Sequence, residues 1–253
     1  MMALLSARGL RKNFGGNFAV NGVDFDVDGG QLLAMIGPNG AGKTTCFNIL
    51  NGQLKPSAGQ VLLDGHDVTG LSPRAMSRAG IGRTFQITQT FGSMTVLENI
   101  QVALMSHHRR LRSFTANVER ECEDEGMTLL RRVGMAEQAK RGCGVLAYGD
   151  LKRVELAMAL ANAPRVLLMD EPTAGMAPKE RVALMALTAE IVRERGVAVL
   201  FTEHDMDTVF RHADTVLVLN RGLIIASGTP EAVREDPDVR EVYLGSGRMY
   251  GAR

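Results

Sequence analysis

Cysteine is scarce in this sequence: Cys46, Cys122 and Cys143 are an odd number without the paired spacing of a metal site. That count argues against a disulfide framework and fits reduced thiols in a cytosolic protein. Charge of one sign is not in excess either. With 29 Lys and Arg against 28 Asp and Glu the net charge is +1, so there is no basic footprint for nucleic acid and no polybasic membrane anchor. No apolar run approaches the roughly 20 residues of a membrane span. Met1-Met2-Ala3-Leu4-Leu5 is too short, and too soon followed by Arg8, to read as a secretory leader. Internal repeats and low-complexity segments are missing as well. What remains is an ordinary globular composition of 253 residues, 45% hydrophobic and 23% charged. That is enough for one large α/β domain, or one domain carrying an inserted lobe. Any service to a membrane then runs through a partner.

The informative stretch is Gly37-Pro38-Asn39-Gly40-Ala41-Gly42-Lys43-Thr44-Thr45. It fits G-x-x-x-x-G-K-[ST], the phosphate-binding loop. Leu32 to Ile36 before it has the length of a buried strand, and Cys46 to Leu50 after it continues as a helix. Glycines let successive backbone N–H groups turn inward around a phosphate, and the helix N-terminus adds its positive end. Lys43 has the reach for β- and γ-phosphates, and Thr44 places a hydroxyl for magnesium. The sequence therefore predicts nucleotide binding.

Around this loop the chain alternates. Leu4 to Phe14, Phe18 to Val27 and Gln31 to Ile36 read as strands, and Gln60 to Leu63 as another. Ser72-Pro73 opens a short helix that Gly80 closes. Ile81 to Gln86 is a strand ending in a polar residue. From about 87 to 162 strand signals stop. Thr95-Val96-Leu97-Glu98 is a capping box opening a helix through Met105, and a second helix runs from about Ala116 to Val133 before Gly134. His107-His108-Arg109-Arg110 reads as a solvated helix end. Strands return at Arg165 to Met169, which delivers Asp170 and Glu171, and at Val197 to Phe201, which delivers Thr202, Glu203 and His204. A hairpin through Asn220-Arg221-Gly222 and two short helices with Pro at their first position finish the chain.

Parallel sheets bind ligands beyond the carboxyl ends of their strands. Four such ends carry chemistry here: the loop after Ile36, Gln86, Asp170-Glu171 and His204. Asp170 is set to complete a magnesium shell and Glu171 to polarise a water as general base; alternatively the pair is a solvated acidic cap. His204 is either a surface histidine among acids or a γ-phosphate contact. Gln86 is either a strand terminus or a sensor of magnesium. Phe14, ahead of Gly15-Gly16, is a core aromatic on composition and a purine stacker on the other reading. Leu146-Ala147-Tyr148-Gly149-Asp150 precedes a helix of residues 151 to 162 and reads as an N-cap or as backbone donors for an anion.

Together these pieces resemble an ATP-binding cassette (ABC) ATPase over nearly the whole chain. The resemblance makes Gly37 to Thr44 the Walker A loop, with Thr45 behind it, and Asp170 the end of Walker B. It makes Gln86 the Q-loop residue, Glu171 the catalytic carboxylate, His204 the switch histidine and Phe14 the adenine-stacking aromatic. Leu146 to Asp150 stands where such proteins carry the L-S-G-G-Q signature, so Ala147, Tyr148, Gly149 and Asp150 face ATP. The implied fold is α/β: a P-loop NTPase (RecA-like) core with a mainly parallel sheet, an antiparallel β subdomain and an inserted helical subdomain. Residues 1–86 and 150–253 form the core and 87–149 the insertion. The implied cofactors are ATP and Mg2+, with Thr44, Gln86 and Asp170 at the metal. The implied partners are a second ABC ATPase subunit, integral membrane permeases and, indirectly, a periplasmic or extracellular substrate-binding protein, with no nucleic acid. The implied location is cytoplasmic, peripheral on the inner face of the membrane.

A finer likeness is to importer ATPases for branched-chain amino acids, carried by Arg83-Thr84-Phe85-Gln86, Leu146-Ala147-Tyr148-Gly149, Asp170 to Met176, Gly228-Thr229-Pro230 and Tyr243-Leu244-Gly245. The related urea or amide importers, or a less usual substrate, are the alternatives to this finer reading. Three positions depart from the family pattern. Ala147 replaces the signature serine, which leaves backbone donors such as Gly149; Asp150 replaces the signature glutamine; Ala177 stands where the D-loop ends in Asp. The alternatives are a soluble ABC ATPase acting on nucleic acid or the ribosome, an exporter ATPase, and a different P-loop enzyme. The last must treat Gln86, His204 and Leu146 to Asp150 as coincidence.

Overall fold

The opening turn signals are followed closely. In the computed structural model, which describes residues 3–84, 90–108 and 116–244, β1 (Leu5–Phe14) and β2 (Asn17–Val27) pair antiparallel across Gly15-Gly16. β3 (Leu32–Ile36) then leaves for a second sheet, and α1 (Lys43–Leu50) follows it. The chain returns to β1 with β4 (Ala58–Leu63), two residues longer than the sequence suggested, and with a short β5 (His66–Asp67) that carried no sequence signal. The resulting four-stranded antiparallel sheet is ordered β2-β1-β4-β5.

α2 (Pro73–Ala79) starts and stops as its end residues dictate. Ser72 Oγ accepts from the Ala75 N–H, and Gly80 closes the helix at φ +104°. After β6 (Ile81–Thr84) come the helices of the central stretch. α3 (Val96–His107) begins at a complete capping box: Thr95 Oγ1 accepts from the Glu98 N–H, and Glu98 Oε2 accepts from the Thr95 N–H at 2.6 Å. α4 (Ala116–Arg132) and α5 (Tyr148–Ala161) pack against α3. His108 at the end of α3 meets Glu125 at 3.0 Å on the exposed surface. α5 starts three residues earlier than expected. Ala147 is its extended N-cap, so Tyr148, Gly149 and Asp150 form its first turn instead of preceding it, and a boundary at 149/150 falls inside this helix.

The remaining elements are β7 (Val166–Asp170), α6 (Pro178–Arg195), β8 (Ala198–Thr202), α7 (Met206–His212), β9 (Thr215–Asn220), β10 (Leu223–Gly228), α8 (Pro230–Glu235) and α9 (Pro237–Leu244). The second sheet is ordered β10-β9-β3-β8-β7-β6, parallel except for the β9–β10 hairpin. Its apolar runs are explained by burial on both faces. Leu32, Ala34 and Ile36 point into one core with Val199 and Phe201, while Leu33 and Met35 point into the other with Ala198 and Leu200. Register aligns the strand tips: Ile36 lies beside Val218, Thr84 beside Met169, and Asp170 beside Thr202. Because β8 sits between β3 and β7, the residues after β8 lie between the Gly37 loop and the Asp170-Glu171 pair. Among the described residues no helix is long and apolar enough to cross a membrane.

Candidate functional site

The Gly37 loop is shaped by close backbone approaches that only glycine allows. Gly37 has φ +154°, and a Cβ there would lie 2.2 Å from the Leu219 carbonyl of β9; Gly42 has φ +108°, and a Cβ there would lie 2.3 Å from the Ala19 carbonyl of β2. The turn of the β9–β10 hairpin braces the loop from outside. Gly222 N–H donates to the Ala41 carbonyl, and Asn21 N–H donates to the Gly222 carbonyl, both at 2.8 Å. Lys43, only 9% exposed, curls into the loop and donates to the Gly37 and Pro38 carbonyls at 2.6 and 3.2 Å. Burial pulls its ammonium below the usual lysine pKa, and the carboxylates of Glu171 and Asp170 pull the other way. Thr44 is exposed and Thr45 half-buried in the first turn of α1.

Asp170 is 7% exposed and both its oxygens are engaged. Oδ1 accepts from Thr202 Oγ1 at 2.8 Å, and Oδ2 accepts from Arg83 Nη2 at 3.0 Å. The other arm of Arg83 donates to Asn48 Oδ1 and Gln53 Oε1 at 2.9 and 3.0 Å, which ties β6, β7 and the end of α1 together. Glu171 occupies left-handed backbone space at φ +50°, a conformation that costs a non-glycine residue on the order of 1 kcal/mol. Its N–H donates to both the carbonyl and the Oγ1 of Thr202 at 3.1 Å. That fixes the carboxylate toward His204, whose Nε2 is 2.9 Å from Glu171 Oε1.

Glu203 is buried directly under this pair. It accepts from Thr173 N–H and Oγ1 at 2.8 and 2.7 Å and from the His204 N–H at 3.3 Å. Burial raises its carboxyl pKa, the Thr173 bonds work against that, and the nearby Glu171 charge adds to it. The link from Thr173 to Glu203 holds the segment after β7 against the end of β8.

The Gly37 loop, Lys43, Asp170, Glu171 and His204 therefore meet beyond the carboxyl ends of β3, β7 and β8. Ala147, Tyr148, Gly149 and Asp150 have other neighbours. Tyr148 is exposed with its ring beside Gly175, and Gly149 is buried against the Glu180 carboxylate on α6. Phe14 is 52% exposed at the β1–β2 turn, with Lys12 Nζ 5.2 Å above its ring. The core placement that composition favoured is thus corrected: at the end of a hairpin, the ring has passed the packed face of the sheet. Gln86 lies outside the described residues. Three residues that brace this cleft escaped the sequence reading. Arg83 looked like a strand residue because its partner is 87 positions away; Thr202 was legible only as a strand tip; the Gly222 brace needed the sheet order.

The chain matches two families. Residues 20–174 match the ABC transporter family, and residues 224–248 match the branched-chain amino acid ATP-binding cassette transporter family. The high-affinity branched-chain amino acid transport ATP-binding protein BraF of Pseudomonas aeruginosa is 43% identical over 252 residues, covering 96% of this chain and 98% of BraF. The corresponding LivG of Escherichia coli is 42% identical over 250 residues with the same coverage. Among solved structures, the ADP conformation of MJ1267, an ATP-binding cassette of an ABC transporter, superposes with a TM-score of 0.85 at 31% identity, covering 97% of this chain and all of that one. With the Gly37 loop, the Asp170-Glu171 pair and His204 gathered beyond the carboxyl ends of β3, β7 and β8, the chain belongs to the ABC transporter ATP-binding family and is an ATP-binding, ATP-hydrolysing cassette.

Proposed function

We propose that the chain powers an importer of branched-chain amino acids. The observation that carries this reading is the 40%-range identity to BraF and LivG along almost the entire length, with the C-terminal segment 224–248 matching the branched-chain cassette family. In this reading residues 1–86 and 150–253 form the ATP-binding core, and 87–149 form the helical part that docks on the permeases. The packing of α3 on α4 supports a helical unit there, and α5 (Tyr148–Ala161), which packs on both, carries the chain from that unit into the core. Two cassettes close face to face with ATP between the Gly37 loop of one and Ala147 to Asp150 of the other. The exposure of Ala147 and Tyr148 supports the second contact. The working position is the inner face of the membrane, and an external substrate-binding protein supplies the cargo.

The residue set fits Mg2+. Asp170 and Thr44 offer hard oxygen donors, the donor type of a cation that takes its remaining ligands from phosphate and water. Asp170 and Thr44, with Gln86, would hold it; bound there, it neutralises charge on the β- and γ-phosphates. Lys43 exchanges the Gly37 and Pro38 carbonyls for phosphate oxygens. Glu171 accepts a proton from water as the water oxygen attacks the γ-phosphorus, and the bond to the β-phosphate oxygen breaks to leave ADP. His204 holds Glu171 and the γ-phosphate in line. Phe14 stacks on adenine.

The test is reconstitution with the permease pair and its binding protein in vesicles. ATP-dependent uptake of leucine, isoleucine or valine that is lost in Lys43→Ala supports the assignment. ATP hydrolysis without uptake of any of the three overturns it.

A further inference from the structure

His204 is tied down through both of its chain neighbours, and the two ties lead to the same loop. Glu203, before it, accepts from the N–H and Oγ1 of Thr173 at 2.8 and 2.7 Å. Asp205, after it, is the N-cap of α7, where its Oδ1 accepts from the N–H groups of Asp207 and Thr208 at 3.0 and 3.3 Å. Its other oxygen, Oδ2, accepts from Arg181 Nη1. Arg181 lies one turn into α6, which packs on α7. Its Nε donates to the Met176 carbonyl at 2.9 Å. One guanidinium thus joins the loop that leaves β7 to the residue next to His204. That loop is itself compact. Ala174 N–H donates to the Glu171 carbonyl at 3.2 Å, Met176 N–H donates to the Thr173 carbonyl at 3.1 Å, and the Met176 side chain is buried in the main core. Glu171 at its head and Met176 at its foot are therefore linked through two successive turns.

The exposure of these groups decides what the contact does. Arg181 and Asp205 side chains are each 29% exposed, and an ion pair so open to water adds little to stability. A planar guanidinium that grips a carbonyl and a carboxylate at once is instead a geometric constraint. The His204 side chain is 47% exposed, so packing alone does not hold its ring, and its place opposite Glu171 depends on how the backbone from Glu203 to Asp205 is anchored. We propose that Arg181 is a positioning residue for hydrolysis: by tying Met176 to Asp205 it keeps His204 Nε2 against Glu171 Oε1, an assignment that rests on reading Glu171 and His204 as the groups acting on water and the γ-phosphate. Arg181 bonds to neither of them; its partners are Met176 and Asp205. Its effect therefore belongs in kcat and not in ATP binding.

The experiment compares the full-length chain with R181A, H204A and the double variant R181A/H204A. It measures kcat, KM and Tm for each, and the affinity for a fluorescent ATP analogue. Loosening the alignment of a reacting pair is expected to lower kcat about 5- to 30-fold in R181A. KM and the analogue affinity should stay near the wild-type values, and Tm should move little. H204A has no imidazole left to place, so removing Arg181 from it should cost less than about 2-fold more in kcat. A purely structural role would instead lower kcat by the same factor in both backgrounds. That equality, or wild-type kcat in R181A beside an impaired H204A, overturns the proposal. If H204A itself turns over ATP at the wild-type rate, the reading of the histidine on which the proposal rests is overturned, an outcome distinct from failure at Arg181.

Discussion

Glu171 Oε1 and His204 Nε2 face each other at 2.9 Å across the tips of β7 and β8. The first prediction concerns this pair. Glu171→Gln keeps the size of the side chain and removes the carboxylate proposed as the proton acceptor. Phosphate release is expected to fall about 10²- to 10⁴-fold, with ATP affinity nearly unchanged and an ATP-bound dimer accumulating on size-exclusion chromatography. His204→Ala should lower kcat more than it changes KM. Wild-type turnover in Glu171→Gln would remove Glu171 from the role of base.

Arg83 and Asp170 form a largely buried ion pair, with side-chain exposures of 14% and 10%. Arg83→Met leaves the Asp170 carboxylate buried with Thr202 as its remaining partner named above. Breaking such a pair from one side costs about 3 kcal/mol, which denaturant unfolding will read as a lower midpoint. Arg83→Lys keeps the charge but loses the fork that also reaches Asn48 and Gln53, and should fall between the two. A loss below about 0.5 kcal/mol in Arg83→Met, the range of an ordinary surface change, would show that the pair does not hold these strands.

Glu203 supplies a pH test. Its folded-state pKa lies above the ordinary 4.5 because the carboxylate is buried. The folded chain therefore binds a proton that the unfolded chain has already released. The contribution to stability is full below the unfolded value and is lost as pH rises through the folded one. Glu203→Gln keeps an oxygen for Thr173 and cannot ionise. Its stability relative to wild type should increase as pH is raised from about 4.5 toward neutrality. A difference that is flat over this range, measured by urea unfolding, would contradict the raised pKa.

Cys46 follows directly on the phosphate loop, yet it is buried and its thiol pKa is pushed up to about 12. Cys122 and Cys143 are buried as well. Since the thiolate is the reactive form, the native chain should resist alkylation at pH 8. All three cysteines should react once the chain is unfolded. Rapid labelling of Cys46 in the native protein would show that α1 opens far more readily than its packing implies.

Much of this arrangement was legible before any coordinates, for an identifiable reason. The phosphate loop, the Ser72 and Thr95 caps and the strand ending at Asp170 are set by residues within a few positions of one another. Sequence spacing carries that information. What the sequence did not carry was long-range. β8 lies between β3 and β7 only once the sheet is assembled, and Arg83 finds Asp170 only after that assembly. The start of α5 was missed for a local reason: Ala147 caps the helix with its backbone alone, so no side chain announces the boundary.

The backbone at Glu171 carries one more implication. Its left-handed twist is one that glycine adopts freely, so Glu171→Gly removes a backbone penalty together with the carboxylate proposed as the hydrolytic base. A laboratory screen that rewards heat resistance without monitoring turnover will be drawn toward glycine at this position, and the sturdier proteins it collects will be idle.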